Sequence, residues 1–284
     1  METISTAPAR KGVPEHENFR YYLSYARSLL FTNPLIYFFT AFLATGSLIG
    51  SLFDSRGRWQ HACTRAWAWL ILKISRIKVH VEGLERVRPG ETAIFCSNHP
   101  SAMDIPILFA LLPGQFRFLA KRELFMLPFL GWHLRRSGHI AVDRARPHQA
   151  MKSFDQAAAK VREGCSVVLF PEGSRSRTGE LLPFKSGTFY LAIRAGVPLI
   201  PITLNGTRYV HKPDTYHVRS GLTEVIMHPP IATDNLTTED VDALSARVRE
   251  RILSRYVSPE QPRSADNGSV SERTRTRRRS RLKK

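Results

Sequence analysis

Two residues able to exchange protons, His99 and Asp104, stand with four residues between them in NHPSAMD, directly after the apolar run TAIFCS. Five positions along a regular helix turn the chain about 140° away, so the two side chains cannot share one helical face. They meet if His99 sits in the turn that precedes a helix, where Pro100 suits a first helical turn. The carboxylate then accepts a proton from one imidazole nitrogen and fixes the tautomer. The other nitrogen is left as a base toward a hydroxyl, as acyl transfer requires. Ten His and nine Asp in 284 residues produce this spacing by chance about 0.3 times, so the pair alone does not decide the chemistry.

A second constellation follows the apolar run SVVLF, where Pro171, Glu172, Gly173, Ser174, Arg175, Ser176 and Arg177 form a turn. Guanidinium groups offer paired donors, and glycine lets main-chain N–H groups approach, so this turn can cradle a phosphate. Glu172 fits an anion site only by orienting Arg175 or a ligand hydroxyl. Lys121, in FLAKREL, and Arg144, in SGHIAVDRA, each stand just past a predicted strand. Strand ends of an α/β sheet are where sites collect, although each of these cations alone is an ordinary surface charge.

The elements that must position these residues are legible as short apolar runs at 78–82, 92–96, 116–119, 139–142, 166–170, 198–204 and 223–228. Helical segments fall near 102–112, 147–163, 185–195 and 238–257, the last with Glu239, Asp240 and Asp242 in its first turn. This alternation predicts an α/β domain, a mixed central sheet flanked by helices, over residues 78–258.

Residues 1–16 read as a loose tail and 17–77 as a membrane-associated helical hairpin. No charge interrupts Ser28 to Phe53, a run long enough to cross a bilayer. Its Asn33, Pro34, Thr40, Gly46 and Gly50 leave burial in one leaflet equally open. Trp59, Trp67 and Trp69 alternate with Arg58, Arg65 and Lys73 in the next stretch, a mixture that favours an interface. The competing reading is a helical hairpin buried in the domain.

Net charge is +18, of which residues 263–284 hold nine Lys or Arg against Asp266 and Glu272, a net +7; residues 1–262 hold the remaining +11. Residues 259–284 read as a disordered basic tail, and the whole chain should approach an anion: nucleic acid, a lipid surface or a phosphorylated substrate. Cys63, Cys96 and Cys165 are too few and too scattered for a disulfide framework or a zinc site. They suit the reducing side of a membrane.

Taken in order, NHPSAMD, FLAKREL, SGHIAVDRA, FPEGSRSRTG and VPLIPI resemble the consecutive motifs of the glycerolipid acyltransferases, the 1-acylglycerol-3-phosphate type in particular, over about residues 78 to 230. Order and spacing carry the resemblance. It implies that His99 is the base and Asp104 its partner, that Lys121 assists the oxyanion, and that Arg144, Glu172, Gly173, Ser174 and Arg175 bind the phosphorylated acceptor. Ser174 stands where threonine is commoner and keeps the hydroxyl. The implied donor is acyl-CoA or an acyl carrier protein and the implied acceptor a lysophospholipid, with no metal or other cofactor. An anionic membrane surface is the expected partner, with the active site facing the cytoplasm. Nucleic acid is not expected, because the basic tail lacks aromatic residues and no reader motif is present. A sister enzyme acting on glycerol 3-phosphate or another lysolipid, and a catalytically silent membrane scaffold, are the rival readings.

Overall fold

The computed structural model describes residues 15–54, 56–143 and 146–257. Arg144 and the basic tail lie outside them, as does the leading tail except for residues 15 and 16, which already open a helix.

That helix, α1 (Glu15–Arg27), runs through one π turn (Ser28–Thr32) into α2 (Asn33–Gly50). Pro34 at the start of α2 has no N–H to give to the preceding turn, and the wider turn absorbs the missing bond. Among the described residues, Phe19–Gly50 is the one helix long and apolar enough to cross a membrane. It is nevertheless bonded to the rest of the protein along its length. At the π turn, the Ser28 hydroxyl donates to the Tyr216 carbonyl (2.7 Å) and accepts from the Val218 N–H (2.8 Å), while Asn33 Nδ2 donates to Tyr216 (2.7 Å). Near the far end, Ser47 Oγ lies 2.7 Å from His133 Nδ1.

Helix α3 (Arg58–Ser75) folds back along α2. Its Trp67 indole N–H donates to Thr40 Oγ1 (2.8 Å), and that of Trp59 to the Gly46 carbonyl (3.0 Å). A Cβ at Gly50 would stand 1.9 Å from the Trp59 ring, so the hairpin closes only because that position has no side chain.

Seven strands follow: β1 (Ile77–Glu82), β2 (Ile94–Ser97), β3 (Phe116–Lys121), β4 (Ile140–Val142), β5 (Ser166–Leu169), β6 (Leu199–Asn205) and β7 (Gly221–Met227). They form one sheet in the order β1-β7-β6-β2-β5-β3-β4. β6, β2, β5, β3 and β4 are mutually parallel; β7 runs antiparallel to β6 and carries β1 parallel to itself. The sheet is mixed and flanked by helices, as expected. Successive side chains of β2 point to opposite faces. Phe95 joins the core beneath α3 and α4 (Asp104–Leu111). Ile94 and Cys96 join the second core, beneath α6 (Pro147–Arg162), α7 (Gly187–Ala195) and α9 (Val241–Leu253). The elements not expected from sequence are short: the π turn, α5 (Leu130–Arg136), α8 (Thr207–Val210) and two 3-10 turns, Leu84–Arg86 and Arg122–Met126.

Where the hairpin meets the sheet lies a group of buried and half-buried histidines. Burial, helped by Arg117 and Arg65, lowers His61 to about 4, and burial lowers His133 to about 4. His139 is driven well below its ordinary range by burial and by neighbouring cations. Its Nδ1 accepts the Phe118 N–H (2.9 Å), a bond that protonation destroys. Unfolded histidine titrates near 6.5, so the folded state holds fewer protons; its advantage is complete above about pH 6.5 and declines as pH falls toward 4. The melting temperature should therefore be lower at pH 5 than at pH 7. His139→Asn, whose amide oxygen can still accept from Phe118, should flatten that slope; an unchanged slope in thermal melts would refute this account.

Candidate active site

The five mutually parallel strands all end at one edge of the sheet, and there the chemical residues gather. β2 delivers His99, β3 delivers Lys121 and β5 delivers Glu172 to Arg175. Just past β2, the buried Asn98 extends the ladder with its side chain: Nδ2 donates to the Leu204 carbonyl (2.9 Å) and Oδ1 accepts the Leu204 N–H (2.7 Å). This pins the main chain one residue before His99.

The imidazole Nδ1 of His99 lies 2.8 Å from Asp104 Oδ2, which also accepts the Ser101 N–H (2.9 Å). Helix α4 begins at Asp104 itself, so His99 sits in the preceding loop, the geometry the spacing demanded. Pro100 stays in that loop rather than opening the helix, and Pro106 occupies the first turn instead. Asp104 is fully buried and benefits from the positive end of α4. One carboxylate assigns the Nδ1 proton and leaves Nε2 as the free basic nitrogen. The ring lies flat on Phe170, centroids 3.9 Å apart, with 17% of the side chain open to solvent.

Glu172 is buried at the start of the turn after β5. Its Oε1 accepts the His99 N–H (2.7 Å) and its Oε2 the Leu182 N–H (2.9 Å). Burial raises its pKa and those two main-chain bonds oppose the shift. The carboxylate is engaged on both sides and fixes the backbone of the dyad.

Gly173 takes φ +72°, and a Cβ there would come within 3.0 to 3.2 Å of the Lys185 side chain, which crosses it. Ser174 is exposed. Arg175 is half-buried, its Nη2 3.9 Å from Asp214 Oδ1, and Arg177 reaches Asp214 Oδ2 at 3.2 Å. Arg208 holds this loop from behind by donating to the carbonyls of Ser176 (2.7 Å) and Arg177. Lys121 is exposed at the end of β3, 3.1 Å from Glu123. Arg144 falls outside the described residues. Sequence reasoning passed over Asn98, Phe170, Lys185 and Arg208. Asn98 and Phe170 adjoin the motifs and could have been flagged by position, whereas Arg208 acts through main-chain carbonyls and leaves no pattern.

An apolar cavity of about 210 Å³ lies between the helical hairpin and the catalytic domain, lined by Leu43, Trp67, Ile105, Phe109, Phe118 and Leu134 among others. Phe118 stacks on Phe170 (5.7 Å), the ring that supports His99. The His99 imidazole and the apolar cavity are thus linked through two stacked rings, an arrangement suited to attack by a hydroxyl on an acyl group bearing a long chain. Among the described residues no cluster of His, Cys, Asp and Glu could hold a metal ion.

The family model described as Acyltransferase matches residues 78–205. A 1-acyl-sn-glycerol-3-phosphate acyltransferase of Limnanthes douglasii is 32% identical over 201 residues, 70% of this chain and 71% of that protein. The human 1-acyl-sn-glycerol-3-phosphate acyltransferase alpha is 35% identical over 179 residues, 63% of either chain. The crystal structure of the 1-acyl-sn-glycerophosphate (LPA) acyltransferase PlsC from Thermotoga maritima shares the fold, with a TM-score of 0.65 at 22% identity over 84% of this chain and 99% of that one. The matched stretch spans β1 to β6 and contains the His99–Asp104 pair, and on these grounds the chain belongs to the acyltransferase family and is an O-acyltransferase of the 1-acylglycerol-3-phosphate type.

Proposed function

We propose that this enzyme transfers a fatty acyl group from acyl-CoA or an acyl carrier protein to the sn-2 hydroxyl of 1-acylglycerol-3-phosphate, giving phosphatidic acid. The observation that carries the reading is the His99–Asp104 pair, with Nδ1 bound at 2.8 Å and Nε2 left to face a hydroxyl. In the reaction Nε2 takes the hydroxyl proton as the oxygen attacks the thioester carbonyl. The tetrahedral oxyanion is met by Lys121, and collapse breaks the C–S bond while the imidazolium returns its proton to the departing thiolate. Arg175 and Arg144, with Gly173 and Ser174, receive the acceptor phosphate. Glu172 is a positioning residue, acting through the backbone of His99. The apolar cavity takes the acyl chain.

The substrates and product are lipids, and the helical hairpin supplies the means of reaching them. The helix is bonded to the catalytic domain at Ser24, Arg27, Ser28, Asn33 and Ser47. A helix held against one domain along its length is placed to lie in one leaflet rather than to cross. The three unpaired cysteines agree with a site on the cytoplasmic side.

Purified protein in detergent, offered labelled acyl-CoA or acyl carrier protein with several lysophospholipids and glycerol 3-phosphate, tests the assignment; a preference for another acceptor would replace it. His99→Ala should lower kcat by about 10² to 10⁴ in a folded sample, and Asp104→Asn should also be severe. Turnover near wild type in either would discard the dyad mechanism. Arg175→Ala should chiefly raise KM for the phosphorylated acceptor, with lysine restoring it only in part. Glu172→Gln, which presents one N–H against a main-chain N–H, should lower kcat and leave KM for that acceptor nearly unchanged. The same effect from both substitutions would erase the distinction between binding and positioning.

A further inference from the structure

The segment between β3 and β4 carries an apolar surface that the reaction does not use. A 3-10 turn, Arg122–Met126, leads into α5, and within seven residues Met126 (73%), Leu127, Phe129 (56%) and Trp132 (50%) are exposed. This is a rigid arrangement. Phe125 is buried as its root, and a Cβ at Gly131 would stand 2.2 Å from the Phe125 carbonyl, so turn and helix are interlocked. Phe129 and Trp132 meet edge to face at 5.4 Å. Phe129 adopts φ +60° and ψ −58°, a conformation hostile to a bulky L-residue. Strain of this kind persists only where the surroundings hold it, and here it turns a phenyl ring toward the outside.

We propose that this patch inserts into the same membrane leaflet as the helical hairpin, giving the catalytic domain its own lipid contact beside the active site. The proposal rests on the membrane-surface reading of the enzyme. Continuity selects the occupant: α5 is joined to α2 through Ser47 and His133, and α2 exposes Tyr37, Phe38, Phe42 and Ile49. Charge agrees. No acidic residue occurs between Glu123 and Asp143, while Arg135 and Arg136 stand exposed on α5. Basic residues rimming aromatic and aliphatic ones suit an anionic leaflet, whereas a second copy of the chain would set two arginine-rimmed faces against each other. Lys121 precedes the patch by only a few residues, so insertion sets the strand ends at headgroup depth.

The test uses the full chain with vesicles of phosphatidylcholine and phosphatidylglycerol. With brominated acyl chains in those vesicles, wild-type tryptophan emission should be quenched more than that of Trp132→Phe; equal quenching would overturn the proposal. The triple variant Met126→Gln, Phe129→Gly, Trp132→Gln should lose about tenfold or more of its turnover on vesicle-borne lysolipid, yet stay within about twofold of wild type on a short-chain lysolipid in detergent. Leu253→Gln, another exposed apolar position, should lose neither. An equal loss in both assays, no loss on vesicles, or a wild-type dimer that the triple variant dissociates would each overturn the proposal. Quenching is read without turnover, so failure of the acyltransferase reading shows separately, as an inactive wild type that still docks.

Discussion

The carboxylate of Glu172 is shared between two main-chain N–H groups, those of His99 and Leu182, and much of the site hangs from that arrangement. Removing a carboxylate from water is costly unless its oxygens are satisfied, and here both are. The turn after β5 is thereby locked to the turn after β2, so the base and the cation-bearing loop cannot drift apart. Asn98 fixes the same turn from the β6 side, and Phe170 supports the imidazole from below. The histidine owes its position to groups drawn from several distant turns, which is how a precise geometry is kept on loops.

How much of this the sequence disclosed depended on whether the signal was periodic or relational. All seven strands were legible because each is a short apolar run, and the Thr237 to Asp242 helix opening was legible because acidic residues mark it; a capping box at Thr237 and Asp240 confirms the local chemistry. The His99–Asp104 contact was legible as a geometric condition on where a helix starts. The place of Glu172 was not, because a carboxylate that accepts main-chain N–H groups from distant turns resembles any polar loop residue. Arg208 was hidden for the same reason. The π turn was hidden too: nothing in SLLFT announces it, and only Pro34 hints that the helix there needs an unusual register.

The histidines beneath the hairpin illustrate a different economy. His133 touches Ser47 on α2 and lies 3.3 Å from Thr64 on α3, and it also lines the apolar cavity. A polar group at such a junction gives direction to what would otherwise be a greasy contact free to slide. The cavity therefore owes its shape to hydrogen bonds between hairpin and domain as well as to apolar packing.

The reversal between β6 and β7 decides on which side of the molecule all this happens. β1 travels with β7, against the five strands that carry the site, so β1 begins at the edge where those five end. Because α3 feeds directly into β1 at Ile77, the hairpin is delivered to the reactive edge by chain direction alone. Had β1 run the other way, the same hairpin would emerge at the opposite rim, and the histidine would look away from it. A single antiparallel pairing thus acts as the compass of the enzyme, bringing the apolar hairpin to the edge that carries its chemistry before any side chain contributes.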